Sequence, residues 1–171
     1  MAVKEILMLG NPGLWKVCAT VKDVGATETK KIIRDLKDTL EDFMEKNGFG
    51  RAIAAPQIGV LKRIIYVDFP KEKIFGALIN PKIIKKSKEK IRVWDDCFSF
   101  PELLVKVERA KEIKVEYLSD DGENQMVTAK GDLSELLQHE IDHLDGILAV
   151  QRAIDGRSFA FRSEWEKFLK N

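Results

Sequence analysis

Between Thr27 and Asn47 the apolar residues fall at Ile32, Ile33, Leu36, Leu40, Phe43 and Met44, with mostly charged residues between them. A spacing of three to four residues lines side chains along one helical face, so this stretch predicts an amphipathic helix with a structural role. Asn47-Gly48 closes it, because glycine takes the left-handed conformation at a helix end without steric penalty. The pattern then shifts to short apolar runs at residues 63–67 and 77–79, which predict strands. The second leads into Asn80-Pro81, a turn signal. Residues 112–118 alternate charged and apolar side chains, the period of a half-buried strand. Ser119-Asp120-Asp121-Gly122 predicts a tight turn after it, with residues 125–128 as the return strand.

A second helix is predicted from Asp132. Leu133, Leu136, Leu137, Ile141 and Leu144 form its apolar face, Asp132 and Glu135 resemble a capping box, and Gly146 marks its end. Residues 158–169 carry Phe159, Phe161, Trp165 and Phe168 and predict a terminal helix packed on the body. Strands do not alternate regularly with helices. The expected fold is therefore α+β, with antiparallel sheets around a central helix, an N-terminal helix and a C-terminal helix.

The central helix also carries the chemistry. His139-Glu140-Ile141-Asp142-His143 holds both histidines of the chain, four residues apart. On a helix both imidazoles face one side and can bind one metal ion, and Glu140 sits where a carboxylate can exchange a proton with water. Two unrelated histidines on an ordinary helix are the alternative, weakened by the lack of any other histidine. A catalytic metal site usually has three protein ligands and an open position. Cys97, in the short segment ending at Pro101, offers a soft thiolate, although taken alone it also reads as a buried structural cysteine. Cys18 has no such context and takes the structural reading.

At 171 residues the chain is expected to be one catalytic domain spanning residues 1–171. Its net charge of +1 argues against a broad nucleic-acid or membrane surface, and two cysteines are too few for a disulfide scaffold. The first five residues do not lead into a signal-peptide core. A cytoplasmic location is the expectation.

Three segments together resemble the peptide deformylase family. They are residues 50–57, a glycine- and alanine-rich loop ending in Gln57; Asp95-Asp96-Cys97-Phe98-Ser99; and residues 138–146 around the two histidines. The resemblance implies removal of formate from N-formylmethionyl peptides, the N-termini of nascent chains, at the ribosome. It implies one divalent metal per chain on Cys97, His139 and His143, typically ferrous iron, with zinc, nickel or cobalt as alternatives. Glu140 would act as general base and then acid, and Gln57 with the Phe98 N–H would polarise the formyl oxygen. Gly50, Arg51, Ala52, Glu135 and Leu136 map to substrate-binding positions, the peptide joining the backbone near Ala52 as an added strand.

Four residues depart from the family pattern. Ala52 and Asp96 replace glycines, Asp95 replaces glutamate, and Arg51 replaces an apolar residue of the methionine pocket. Arg51 and Glu135 either pair across a remodelled pocket or act separately, one in solvent and one as a helix cap. The remaining functional alternatives are hydrolysis of a different N-formyl or N-acyl substrate and a non-catalytic binding protein. An endoprotease sharing the helix motif would need a third His or Glu further on, and the chain has no third histidine.

Overall fold

The periodic stretch near the start forms a helix in the computed structural model, α1 (Thr27–Asn47), closed by Gly48 at φ +74°. The structure describes residues 3–170. Met1, Ala2 and Asn171 lie outside it, and with them the opening of the segment expected to carry no signal peptide. Seven strands follow: β1 (Ala52–Ala54), β2 (Ile64–Phe69), β3 (Ile74–Lys86), β4 (Lys90–Asp95), β5 (Leu103–Ala110), β6 (Glu112–Leu118) and β7 (Asn124–Lys130). Then come α2 (Gly131–Leu144), β8 (Phe159–Phe161) and α3 (Arg162–Phe168). All named strand pairs are antiparallel, in a five-stranded sheet ordered β1-β2-β3-β6-β7 and a three-stranded sheet ordered β4-β5-β8.

Strand alternation decides which helix each residue meets. Ala52, Ala54, Ile65, Val67 and Leu78 pack with Leu133, Leu137 and Ile141 of α2. Their neighbours Ile53, Ile64, Ala77 and Ile79 point the other way and pack with Leu36, Leu40 and Phe43 of α1. The five-stranded sheet is thus covered by one helix on each face. A third cluster, including Leu14, Cys97, Val105, Val107 and Leu148, fills the space beside the smaller sheet. Each fully buried leucine or isoleucine contributes roughly 1.5–3 kcal/mol by leaving water.

Three local expectations are corrected. No turn interrupts the chain at Asn80-Pro81, because β3 runs through it as a bulge with shifted register between Ile79 and Lys82. Asn80 adopts φ +52°, and its amide both accepts from Val21 N and donates to Val21 O. The segment at 158–169 is not one packed helix. Its first part forms β8 on the open edge of β5, where backbone partners are available, and α3 buries no residue. The capping box is also absent: Lys130 is the N-cap of α2, Asp132 pairs with Lys71 at 2.8 Å, and Glu135 turns inward.

The helix that carries the histidines ends where expected. Gly146 has φ +70°, and a Cβ there would lie 2.5 Å from Trp15 O. Gly146→Ala should therefore cost about 2 kcal/mol or more, through strained backbone and displacement of the Trp15 carbonyl. Gly76→Ala is its control, with φ +99° but open space around the added methyl. Urea unfolding should rank Gly146→Ala as clearly the more destabilising, and equal losses would show that the close approach is not rigid.

Candidate metal centre

Helix α2 places His139 and His143 one turn apart, with their Nε2 atoms 3.1 Å from each other. Cys97 lies in the turn after β4, and its Sγ is 3.3 Å from His143 Nε2. The three ligand atoms all fall within 4.8 Å of one another, and all three side chains are buried. Tetrahedral coordination at usual Zn–N and Zn–S lengths separates nitrogen pairs by about 3.3 Å and nitrogen–sulfur pairs by about 3.6 Å. The observed edges are only slightly shorter. Two imidazoles and a thiolate are also a donor set for zinc or ferrous iron, so these residues fit one divalent ion.

The histidines are held from behind. His139 Nδ1 is 2.7 Å from Asp95 Oδ1, off the line of an ideal hydrogen bond but close enough for the carboxylate to orient the ring. Asp95, shorter than the glutamate of the family pattern, still reaches the ring. Arg109 on β5 joins Asp95, at 2.9 Å, to Asp142, which also binds Arg152 at 2.8 Å. Burial alone would raise the Asp95 carboxyl, but His139 and Arg109 outweigh it and hold it at about 2. Burial likewise opposes charge on His139, and Asp95 followed by Cys97 pushes its pKa well above the usual value. His143 is pushed well below it, by burial and then by the His139 charge. A second acidic grouping, Asp95, Glu135 and His139, is already engaged through Arg109, Arg51 and the metal-facing triangle.

Glu140 is buried, and its Oε2 has no bonding partner among the described residues. Burial lifts its pKa to about 7, against the pull of the His139 charge. It lines a cleft of about 310 Å³ with Gly50, Arg51, Ala52, Gln57 and Phe98. Glu135, Leu136, Cys97, His139, Phe49 and Asp96 complete that wall, so every predicted catalytic, metal or substrate residue except His143 borders the cleft. His143 sits behind Cys97. The Gln57 side chain accepts from Ala54 N and turns its amide nitrogen toward Cys97 Sγ, at 3.6 Å, and Ser99 Oγ, at 3.4 Å. Gly50 is required where it stands, since at φ +142° a Cβ would come 2.8 Å from Met44 and 2.9 Å from Phe98.

Arg51 does not stand free in solvent. Its Nη2 lies 3.0 Å from Glu135 Oε2, and the guanidinium sits 5.3 Å from the Phe69 ring centroid. Burial and the nearby Asp95 raise the Glu135 carboxyl to about 7 despite Arg51. Ala52 and Asp96 avoid positive φ, so neither glycine replacement strains the backbone. Sequence reasoning missed Arg109, Gln138 as an anchor, and Phe49. Gln138 accepts from Ala110 N and donates to Ala110 O, tying α2 to β5. Only Gln138 stood within a quoted motif; the others lie in segments without a local signature. Cys18 is buried, with its thiol pushed up to about 11 by burial, as suits a structural cysteine.

Asp95→Asn keeps a polar group beside His139 but removes the charge that orients it. Metal affinity should fall about tenfold or more, measured by competition with a chromogenic chelator. Unchanged affinity would separate the carboxylate from metal binding.

A family model described as polypeptide deformylase matches residues 3–158. Peptide deformylase 2 of Clostridium perfringens is 40% identical over 153 residues, covering 90% of this chain and 94% of the relative. The peptide deformylase of Pseudothermotoga lettingae is 40% identical over 162 residues, covering 95% and 90%. Among solved structures, the Thermotoga maritima peptide deformylase superposes with a TM-score of 0.82 at 32% identity, covering 91% of this chain and all of that one. The Ehrlichia chaffeensis enzyme in complex with actinonin gives 0.80 at 33% identity, with 89% of each chain covered. With the triangle of ligands, the buried glutamate and these likenesses together, the chain belongs to the polypeptide deformylase family.

Proposed function

We propose that this chain is one catalytic domain that hydrolyses the formyl group from N-formylmethionyl peptides, using one divalent ion on Cys97, His139 and His143. The observation that carries this reading is the clustering of those three donors at the wall of a cleft that Cys97, His139 and the unbonded Glu140 oxygen share. When bound, the ion supplies Lewis acidity, which makes proton loss from water feasible near neutral pH. Glu140 takes that proton and returns it to the leaving amine. Gln57 Nε2 and the Phe98 N–H donate to the formyl oxygen as its negative charge grows. β1 has β2 on one side only; on the other, Ala54 N bonds Gln57, and a peptide backbone would pair at Ala52.

Ferrous iron is the ion we favour, because thiolate with imidazole suits it and it is typical of the family resembled. Zinc, nickel and cobalt remain chemically compatible with the same donors. The natural substrates on this reading are formylated nascent N-termini, met at the ribosome in the cytoplasm. Among the described residues no helix is long and apolar enough to cross a membrane. Hydrolysis of a different N-acyl compound, or binding without turnover, has less support, since none of the proposed ligands or the general base is replaced.

Anaerobic purification, metal counting and formate release from formyl-Met-Ala-Ser test the proposal. About one metal per chain and steady release are expected. Glu140→Gln should keep the metal and lose a hundredfold or more in kcat, because an amide cannot accept the proton. A near-native rate would remove Glu140 from the mechanism. Glu140 must be ionised to act as base, and burial raises it from 4.5 to about 7. The rate should therefore fall as pH drops through that interval, and a flat profile down to pH 4.5 in folded protein would contradict the assignment.

The Arg51–Glu135 pair places two charged groups in the cleft where an apolar pocket would gain roughly 1.5–3 kcal/mol from a methionine side chain. Preference for formyl-methionine over polar first residues should thus be weaker than in the double variant Arg51→Ile with Ala52→Gly, by about tenfold. Equal preference in the two proteins would make the pair neutral to selectivity.

A further inference from the structure

The family match ends at residue 158, yet a side chain from beyond it reaches the mouth of the cleft. Pairing of β8 with β5 sets Phe161 opposite Leu103 and seats the Arg162 N–H on Glu102 O. From there Arg162 Nη2 lies 2.7 Å from Asp96 Oδ2, and its Nε donates to Pro101 O at 2.9 Å. The guanidinium is 4.3 Å from the centroid of the Phe49 ring. Asp96 and Phe49 both line the cleft and are half-buried, whereas Cys97, His139 and Glu140 lie buried deeper. Phe49 meets Phe43 edge-on at 5.4 Å, and Phe43 stacks on Phe98 at 3.8 Å. Arg162 therefore caps a row of rings that ends beside the Cys97 ligand.

We propose that Arg162 is a positioning residue for the peptide, cancelling the Asp96 charge at the cleft mouth and holding Phe49 as an apolar wall. The inference rests on the deformylase reading. With the formyl group at the buried end of the cleft, the residues that follow it leave past Phe49 and Asp96. An unpaired Asp96 would set a negative charge in their path, and a loose Phe49 would remove the surface they cross. A planar guanidinium does both tasks at once, pairing through its edge and stacking through its face. The arrangement also accounts for Asp96, whose carboxylate pairs, among the described residues, with an arginine that the C-terminal segment supplies.

Formate-release kinetics on formyl-Met-Ala-Ser and on the shorter formyl-methionine, with metal counted, test the proposal in wild type, R162A, R162K, D96G and D96G/R162A. R162A should raise KM for the tripeptide about five- to tenfold, with kcat within about twofold and metal content unchanged. The effect on formyl-methionine should be smaller, because it has no following residues. D96G should recover part of the loss in the R162A background by deleting the stranded charge, and R162K should fall between wild type and R162A. An unchanged KM in R162A, or matching falls in kcat and metal content, would overturn the proposal in favour of no role or a purely structural one. If wild type released no formate, the deformylase reading would fail instead. Calorimetric titration with Met-Ala-Ser would then decide the Arg162 claim, equal affinities of wild type and R162A counting against it.

Discussion

Asp95 ends a strand of the small sheet, and His139 lies in the middle of the helix packed on the large one. Their 2.7 Å contact ties the cysteine side of the metal centre to the histidine side. An isolated buried carboxylate is too costly to keep, so the contact depends on Arg109, which is itself only 4% exposed and needs Asp142 in turn. Charge is passed outward in this way until Arg152 meets solvent at the edge. Removing one member would strand the next. The ladder explains why the ligand geometry is already set: three donors close together in a protein interior repel or compete unless something behind them fixes their orientation.

The same reasoning sorts the departures from the family pattern. Shortening a glutamate to Asp95 leaves its partner within reach, because Arg109 approaches from the adjacent strand. Asp96 and Arg51 each bring a charge into the cleft, and each finds an opposite charge on a different element, α3 and α2. None of these changes replaces one of the three candidate donors or Glu140. The changes surround the donor triangle and leave its residue types intact.

What the sequence made legible follows the range of the interactions. α1, α2 and the β6–β7 hairpin depend on local periodicity and turn chemistry, and they appear where that periodicity places them. The two histidines and Glu140 share one helix turn, so their common site was readable too. Arg109 is different, standing 14 residues from Asp95 and 33 from Asp142, with nothing in the intervening chain to announce either bond. Asn80-Pro81 misled for a related reason: its turn-like backbone is stabilised by Val21, far away in the chain, within a continuous strand. The aromatic residues near the C-terminus looked like a core-facing helix. The available partner was instead the bare edge of β5, whose need for hydrogen bonds does not show in side-chain patterns.

An exposed sheet edge ordinarily invites other chains to stack on it and form aggregates. The outer edge of β1 is of that kind, but it spans only three residues, all buried, and Ala54 N already bonds Gln57 Oε1. A second folded copy finds little backbone to pair with there. Burial and brevity thus protect this edge from stacking without the lysines or prolines that guard other sheet edges.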